Sequence, residues 1–232
     1  MTDVEFVTAN GIQMAVYVRY VSGPETAPAM LMLHGLGELA VGWEIVRPEL
    51  ERHYRVIAPD LRGHGQTDWP GTYSLKLMRD DTVLLMNELA LDRVILVGHS
   101  MGAGVAYLIA EDHCQRVDRL IVEDAPPPYP RVGPPIPDRP EGVDLPFDWE
   151  MLLAIRGEVD DPDLDAWANL PRITARTLMV AGGPTSPVSQ EKIHEAVALV
   201  RQATLVTIPA GHHVHTNEPN EFVATVLEWL GS

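Results

Sequence analysis

A serine lies between two glycines in Gly98-His99-Ser100-Met101-Gly102, at the junction of two runs of different character. Val94-Ile95-Leu96-Val97 before it is apolar and β-branched, as a buried strand is. Val105-Ala106-Tyr107-Leu108-Ile109-Ala110 after it has the composition of a buried helix. Strand, sharp turn and helix in that order lift a serine hydroxyl into solvent at a helix N-terminus, where free N–H groups and the helix dipole favour negative charge. Glycine at 98 and 102 suits such a turn, because a larger side chain would strike the neighbouring strand or helix. A serine hydroxyl is a poor nucleophile until a base removes its proton, and a tetrahedral oxyanion must be met by donors already in place. The spacing therefore points to acyl transfer, provided that a base and an acid reach Ser100.

His212 is the candidate base among nine histidines. It closes Pro209-Ala210-Gly211-His212 after the last apolar run, Leu205-Val206-Thr207-Ile208, where a loop can deliver an imidazole over the turn. His213 and His215 join it in a cluster of metal-ligand type. No carboxylate or cysteine cluster accompanies them in the sequence, so neither a metal nor a cofactor is expected. The single cysteine, Cys114, follows the helix after Ser100 and reads as packing at a helix end.

Several elements must position these groups. Residues 4–9 and 12–20 alternate around Asn10-Gly11, a hairpin signal, and a turn-rich Ser22-Gly23-Pro24 follows. A short buried strand at 29–33 enters the glycine-rich loop His34-Gly35-Leu36-Gly37, whose N–H groups can converge on one point. The pattern then predicts a helix near 43–52, a strand at 54–58, a helix from 75 to 91, the strand before Ser100 with its helix, and a strand over 118–123. Later come a strand at 176–181, a helix at 188–200, a strand at 205–208, and a helix at 217–230 with Phe222, Val226 and Trp229 at core spacing. Such alternation predicts an α/β chain with a mostly parallel sheet covered on both faces. Between 125 and 176 the texture is proline-rich without alternation. The organisation expected is a core of 1–124 and 177–232 with 125–176 as an inserted lid.

Four segments in order, His34-Gly35-Leu36-Gly37 with Trp43 downstream, Asp60-Leu61-Arg62-Gly63-His64-Gly65, Gly98-His99-Ser100-Met101-Gly102 and Gly211-His212, make the chain resemble the α/β-hydrolase superfamily over nearly its whole length. The resemblance implies the α/β-hydrolase fold with about eight strands and Ser100 as nucleophile. It implies His212 as base and the backbone N–H groups of Leu36 and Met101 as the oxyanion hole. His34, His64, Asp60 and Asp68 are then structural, and His99 flanks the serine without facing it. Most relatives place their acid after the strand equivalent to 177–181, where this chain has Ser186, which cannot supply a negative charge. Asp124 ends the strand after the Ser100 helix, at the carboxyl edge where ligand sites of open sheets gather, and some relatives carry their acid there. Asp124 is the acid expected; Glu123 is the alternative, although strand alternation points its side chain the other way.

A formal charge of -16 argues against nucleic acid and anionic membrane surfaces as partners, and no apolar run is long enough to cross a bilayer. One cysteine and an N-terminus without a basic-then-apolar pattern lead to a cytoplasmic protein as the expectation, with its oligomeric state open. The reading is a serine hydrolase acting on small-molecule carboxylic esters of small to medium acyl chain, with lactones and thioesters as variants. Phe147, Trp149 and Trp167 are candidates to line its substrate pocket, or simply to pack the lid. A serine nucleophile argues against epoxide-hydrolase or dehalogenase chemistry, which in this superfamily uses an aspartate at that point. A carbon–carbon bond hydrolase, a cofactor-free perhydrolase and a slow-turnover ligand receptor would share the same residues.

Overall fold

The computed structural model describes residues 4–18, 27–162 and 165–231. Strands β1 (Val4–Ala9) and β2 (Ile12–Val18) form the expected hairpin, with Asn10 and Gly11 both at positive φ, 51° and 76°. The expected continuation of β2 through residues 19 and 20 and the turn at 22–24 lie outside the described residues. Strands β3 (Ala29–Leu33), β4 (Arg55–Pro59), β5 (Val94–His99), β6 (Val117–Glu123), β7 (Arg176–Ala181) and β8 (Ala203–Thr207) complete one eight-stranded sheet in the order β1-β2-β4-β3-β5-β6-β7-β8. The last six strands run parallel; β2 joins β4 antiparallel.

Alternate residues of the central strands feed two cores, one on each face. Leu31, Leu33, Leu96 and Val122 pack on one side; Met30, Met32, Val97 and Ile121 pack on the other. Helices α2 (Leu75–Glu88), α3 (Met101–Asp112), α4 (Trp149–Asp160) and α6 (Gln190–Leu199) contribute to the first core. Helices α1 (Arg47–Leu50) and α8 (Pro219–Leu230) contribute to the second, where Phe222 and Val226 are buried and Trp229 packs at the edge.

One expected helix is divided and another starts two residues late, each with a proline in the first turn of the observed helix. The 43–52 stretch is a 3-10 turn, Ala40–Ile45, followed by α1 with Pro48 in its first turn. The 217–230 helix is preceded by a separate turn of helix, α7 (Val214–Asn217), and begins afresh at Pro219. A proline has no N–H to give to the preceding turn, so it starts a helix rather than continuing one. The 125–176 segment contains α4, α5 (Asp165–Asn169) and a 3-10 turn at Leu170–Arg172. It is fastened to the sheet side by Gly65 N to Pro146 O (2.7 Å), Asp148 N to Gly63 O (2.8 Å) and Tyr73 Oη to Asp148 Oδ2 (2.5 Å). Among the described residues no helix is long and apolar enough to cross a membrane.

Candidate active site

Ser100 caps α3 with φ 51° and ψ −113°, a conformation that a non-glycine residue adopts only where its surroundings impose it. The surroundings are glycines. A Cβ at Gly98 would lie 2.5 Å from Gly102 O and 2.7 Å from Ala103 Cα, and one at Gly102 would run into the backbone of Leu33 and His34. With both absent, β5, α3 and the end of β3 close on each other and leave Ser100 half-buried at the turn.

Ser100 Oγ lies 3.0 Å from His212 Nε2, and His212 Nδ1 donates to Asp124 Oδ2 at 2.8 Å. Gly211, at φ 78°, turns the chain so that His212 reaches over the serine. Gly182 permits the approach, since a Cβ there would meet Gly211 and stand 3.0 Å from Asp124 Cγ. Asp124 also has positive φ, 45°, as β6 ends, and its N–H donates to Val180 O (2.8 Å). Its carboxylate is buried yet satisfied. It accepts from Gly182 N (2.7 Å) and Gln190 Nε2 (3.2 Å) on Oδ1, and from Ser186 Oγ (2.5 Å) on Oδ2 beside His212. Burial alone would raise its pKa, but hydrogen bonds from His212, Ser186, Gly182 and Gln190 outweigh burial and hold it below the ordinary carboxylate value.

Glu123 faces the other way and does not reach Ser100. Fully buried, it accepts from His215 N (2.9 Å) and His215 Nδ1 (2.8 Å to Oε2). Its ionised form is favoured against burial by His99 and His215. His99 is likewise buried. Its Nε2 donates to the backbone carbonyl of His212 (2.9 Å) and its Nδ1 to Glu38 Oε2 (3.1 Å). Burial opposes a charge on His99, but Glu123 and Glu38 prevail and raise its pKa to about 9. Glu38 also accepts from Gly35 N (3.0 Å) and pairs with His213 Nε2 (3.0 Å), so one carboxylate ties the glycine-rich loop to the histidine loop. Glu38, His99 and His213 are the group among the described residues whose donor atoms, within 4.8 Å of one another, could hold a metal ion. Each of those donors is already engaged with another of the three. The sequence shows the histidines of this network, but Glu38 joins them only through the fold.

His34 and His64 hold loops. His34 Nε2 accepts from Leu61 N (2.9 Å) and its Nδ1 donates to Gly35 O (2.8 Å); His64 Nε2 accepts from Gly37 N (3.1 Å) and its Nδ1 donates to Arg62 O (3.1 Å). Burial lowers their pKa values to about 4 and about 3, so both rings are neutral and each acts as one donor and one acceptor. Asp60 accepts from Ala40 N (2.9 Å) and Gln66 N (3.1 Å), and Asp68 from Gln13 N (2.9 Å).

A cavity of about 340 Å³ opens on Ser100 and His212, with Leu36 and Met101 in its wall. Met101 is the first residue of α3, where N–H groups have no intrahelical acceptor. Phe147, Trp149 and Trp167 are not in that wall. Phe147 packs beside Gly37 and His64, Trp149 begins α4, and Trp167 Nε1 donates to Pro128 O (2.9 Å). Their positions fit packing of the segment rather than contact with a ligand. The wall instead includes Arg131 and Arg156, which sequence reasoning passed over because the proline-rich segment has no periodicity to orient its side chains.

A family model described as the alpha/beta hydrolase fold matches residues 28–154, more than half of the chain. The chain belongs to this α/β-hydrolase family. A hydrolase from Pseudomonas aeruginosa shares the fold over 99% of both chains, with a TM-score of 0.85 and 26% identity. An enol-lactonase from Burkholderia xenovorans matches with a TM-score of 0.82 and 21% identity, over 98% of this chain and all of that one. Among curated α/β-hydrolase relatives, an AB hydrolase superfamily protein of Bacillus subtilis is 33% identical over 129 residues, which are 54% of this chain and 44% of that protein. Human epoxide hydrolase 4 is 36% identical over 110 residues, 46% of this chain and 30% of that protein. The chain thus spans less than half the length of these curated relatives.

Proposed function

We propose that the chain is a serine hydrolase that cleaves carboxylic esters of small to medium acyl chain through an acyl-enzyme, with lactones and thioesters as related substrates. The observation that carries this reading is the unbroken hydrogen-bond chain from Ser100 Oγ to His212 Nε2 and from His212 Nδ1 to Asp124 Oδ2. His212 takes the serine proton as Oγ attacks the ester carbonyl. The N–H groups of Leu36 and Met101 receive the oxyanion, and Asp124 holds the imidazole tautomer and stabilises the imidazolium. His212 then returns the proton to the departing alcohol, and a water activated by the same ring hydrolyses the acyl-serine. Base, acid and oxyanion donors all come from the chain, so no cofactor is invoked. The likeness to epoxide hydrolase 4 does not extend to the nucleophile assigned here, because epoxide opening in this superfamily uses an aspartate where this chain has Ser100.

The test is hydrolysis of p-nitrophenyl esters from acetate to decanoate. Ser100→Ala is expected to abolish turnover, and Asp124→Asn to lower kcat by about 10³–10⁴. A wild-type protein inactive across the series, or a Ser100→Ala variant as fast as wild type, would overturn the reading. Asp124→Asn at the wild-type rate would remove Asp124 from its role.

A further inference from the structure

The cavity at Ser100 carries two guanidinium groups, Arg131 and Arg156, in a chain with 17 Lys and Arg against 33 Asp and Glu. They share one carboxylate. Arg131 Nε donates to Asp160 Oδ1 and Arg156 Nη2 to Asp160 Oδ2, each at 3.0 Å, and Arg156 Nη2 also donates to Pro134 O at 3.2 Å. Each guanidinium has five N–H donors. The hydrogen bonds described use one from Arg131 and two from Arg156, and Arg156 Nε is buried with no partner.

The arrangement is built into the backbone. Helix α4 supplies Arg156 and Asp160 one turn apart, the loop before it supplies Arg131, and Arg131 N donates to Asp160 O at 3.0 Å. Gly133 comes close to the pair, where a Cβ would fall within 3 Å of the ends of the Arg156 and Asp160 side chains. The side chains of Arg131 and Arg156 are 32% and 20% exposed, within reach of a ligand but largely withdrawn from water. Much of the remaining wall is apolar, including Leu75, Ile155, Val159 and Pro187. An adjoining cavity of about 170 Å³ is lined mainly by apolar groups, among them Leu75, Tyr107 and Leu108, with Glu158 and Asp161 beside Lys76.

We propose that the cavity takes esters whose acyl chain ends in a free carboxylate, the monoesters of short dicarboxylic acids, and that Arg131 and Arg156 bind that carboxylate. This rests on the reading of Ser100 as the nucleophile. The apolar side chains that share this wall with Ser100 and the arginines suit a methylene chain. A planar carboxylate matches the guanidinium fork. A phosphate dianion would meet the field of a chain of charge -16 with twice the charge, which favours the monoanion.

The experiment compares, by pH-stat, monomethyl succinate, glutarate, adipate and suberate with methyl butanoate, pentanoate, hexanoate and octanoate. It uses wild type, Arg131→Met, Arg156→Met and Arg156→Lys. At the best chain length the wild type is expected to favour the acid monoester at least tenfold in kcat/KM, mostly through KM. That ratio should fall towards one in both methionine variants, shrink with added salt, and return in part in Arg156→Lys, which keeps the charge if methionine loosens the loop. A wild-type ratio of one or less at every length, or a ratio unchanged in both methionine variants, overturns the proposal. Calorimetric titration of monomethyl glutarate into Ser100→Ala, where it is not turned over, separates the two levels. Binding that needs Arg156, when the wild type hydrolyses no ester, would keep the anion site and sink the hydrolase reading. Ester hydrolysis by the wild type with no acid preference and no such binding would do the reverse.

Discussion

Asp124 Oδ2 receives two hydrogens at once, from Ser186 Oγ and His212 Nδ1, so position 186 borders the very oxygen that orients the imidazole. A carboxylate at 186 would therefore sit against Asp124, and two like charges so close cannot both ionise freely. Ser186→Asp alone is expected to slow ester hydrolysis about tenfold or more. Combined with Asp124→Asn, the same substitution should recover at least tenfold over Asp124→Asn alone, read from kcat on one p-nitrophenyl ester. Failure of the double variant to recover any activity would mean that a carboxylate at 186 cannot reach His212. The sequence shows a serine at 186 and a carboxylate at 124, but not that the one donates to the other. That contact depends on the register of β6 and β7, which sets Glu123 beside Val180, and no local pattern encodes it. Arg131 and Arg156 were illegible for a different reason: what brings them together is Asp160, which accepts from both side chains across 29 and 4 residues of sequence.

At the scale of elements, the strand–turn–helix around Ser100 was readable because a β-branched run, two glycines and an apolar helix agree on one geometry. Its tolerances differ sharply from residue to residue. Gly102→Ala should destabilise the protein by about 1–3 kcal/mol, because the methyl group meets the backbone of Leu33 and His34, which has nowhere to move. Gly104→Ala, two residues on, would place its Cβ 3.5 Å from Leu75 Cδ1, an ordinary contact, and should gain up to about 1 kcal/mol from helix propensity. Urea denaturation of the two variants distinguishes these outcomes. Helix α3 also buries Glu111, whose pKa burial and the neighbouring Asp112 push from an ordinary 4.5 up to about 8. Between those values the unfolded chain has released a proton that the folded protein keeps. Stability from this group is therefore complete below pH 4.5 and is lost as pH rises through 8. Thermal melts should show Glu111→Gln raising Tm more at pH 8.5 than at pH 5; an equal effect at both would show that the carboxyl does not titrate in this window. The expected 43–52 helix, divided ahead of Pro48, shows the converse limit, where apolar spacing runs on past a residue that must begin a new turn.

Across the whole molecule, the alternation of strands and helices was legible, whereas the spatial order of the strands is not written in any single segment. One buried cluster shows what joins distant parts. Arg62, after β4, forms paired hydrogen bonds to Asp81 on α2 (2.6 and 2.7 Å), and Asp81 also accepts from Asn10 Nδ2 (2.7 Å) in the hairpin turn. Removing the guanidinium would strand a fully buried carboxylate, so Arg62→Ala should cost about 3–5 kcal/mol in urea denaturation, a large share of the stability of an ordinary domain. A loss under 1 kcal/mol would show that water or another group compensates. The end of β6 makes a second long-range join: consecutive residues Glu123 and Asp124 clasp His215 and His212 on opposite sides of one short loop. The conformational freedom of that loop is surrendered when the chain folds, long before any substrate arrives. Each turnover would then begin from a base already immobilised, and an Eyring plot of ester hydrolysis should stay straight, with an activation entropy near zero, up to the onset of unfolding.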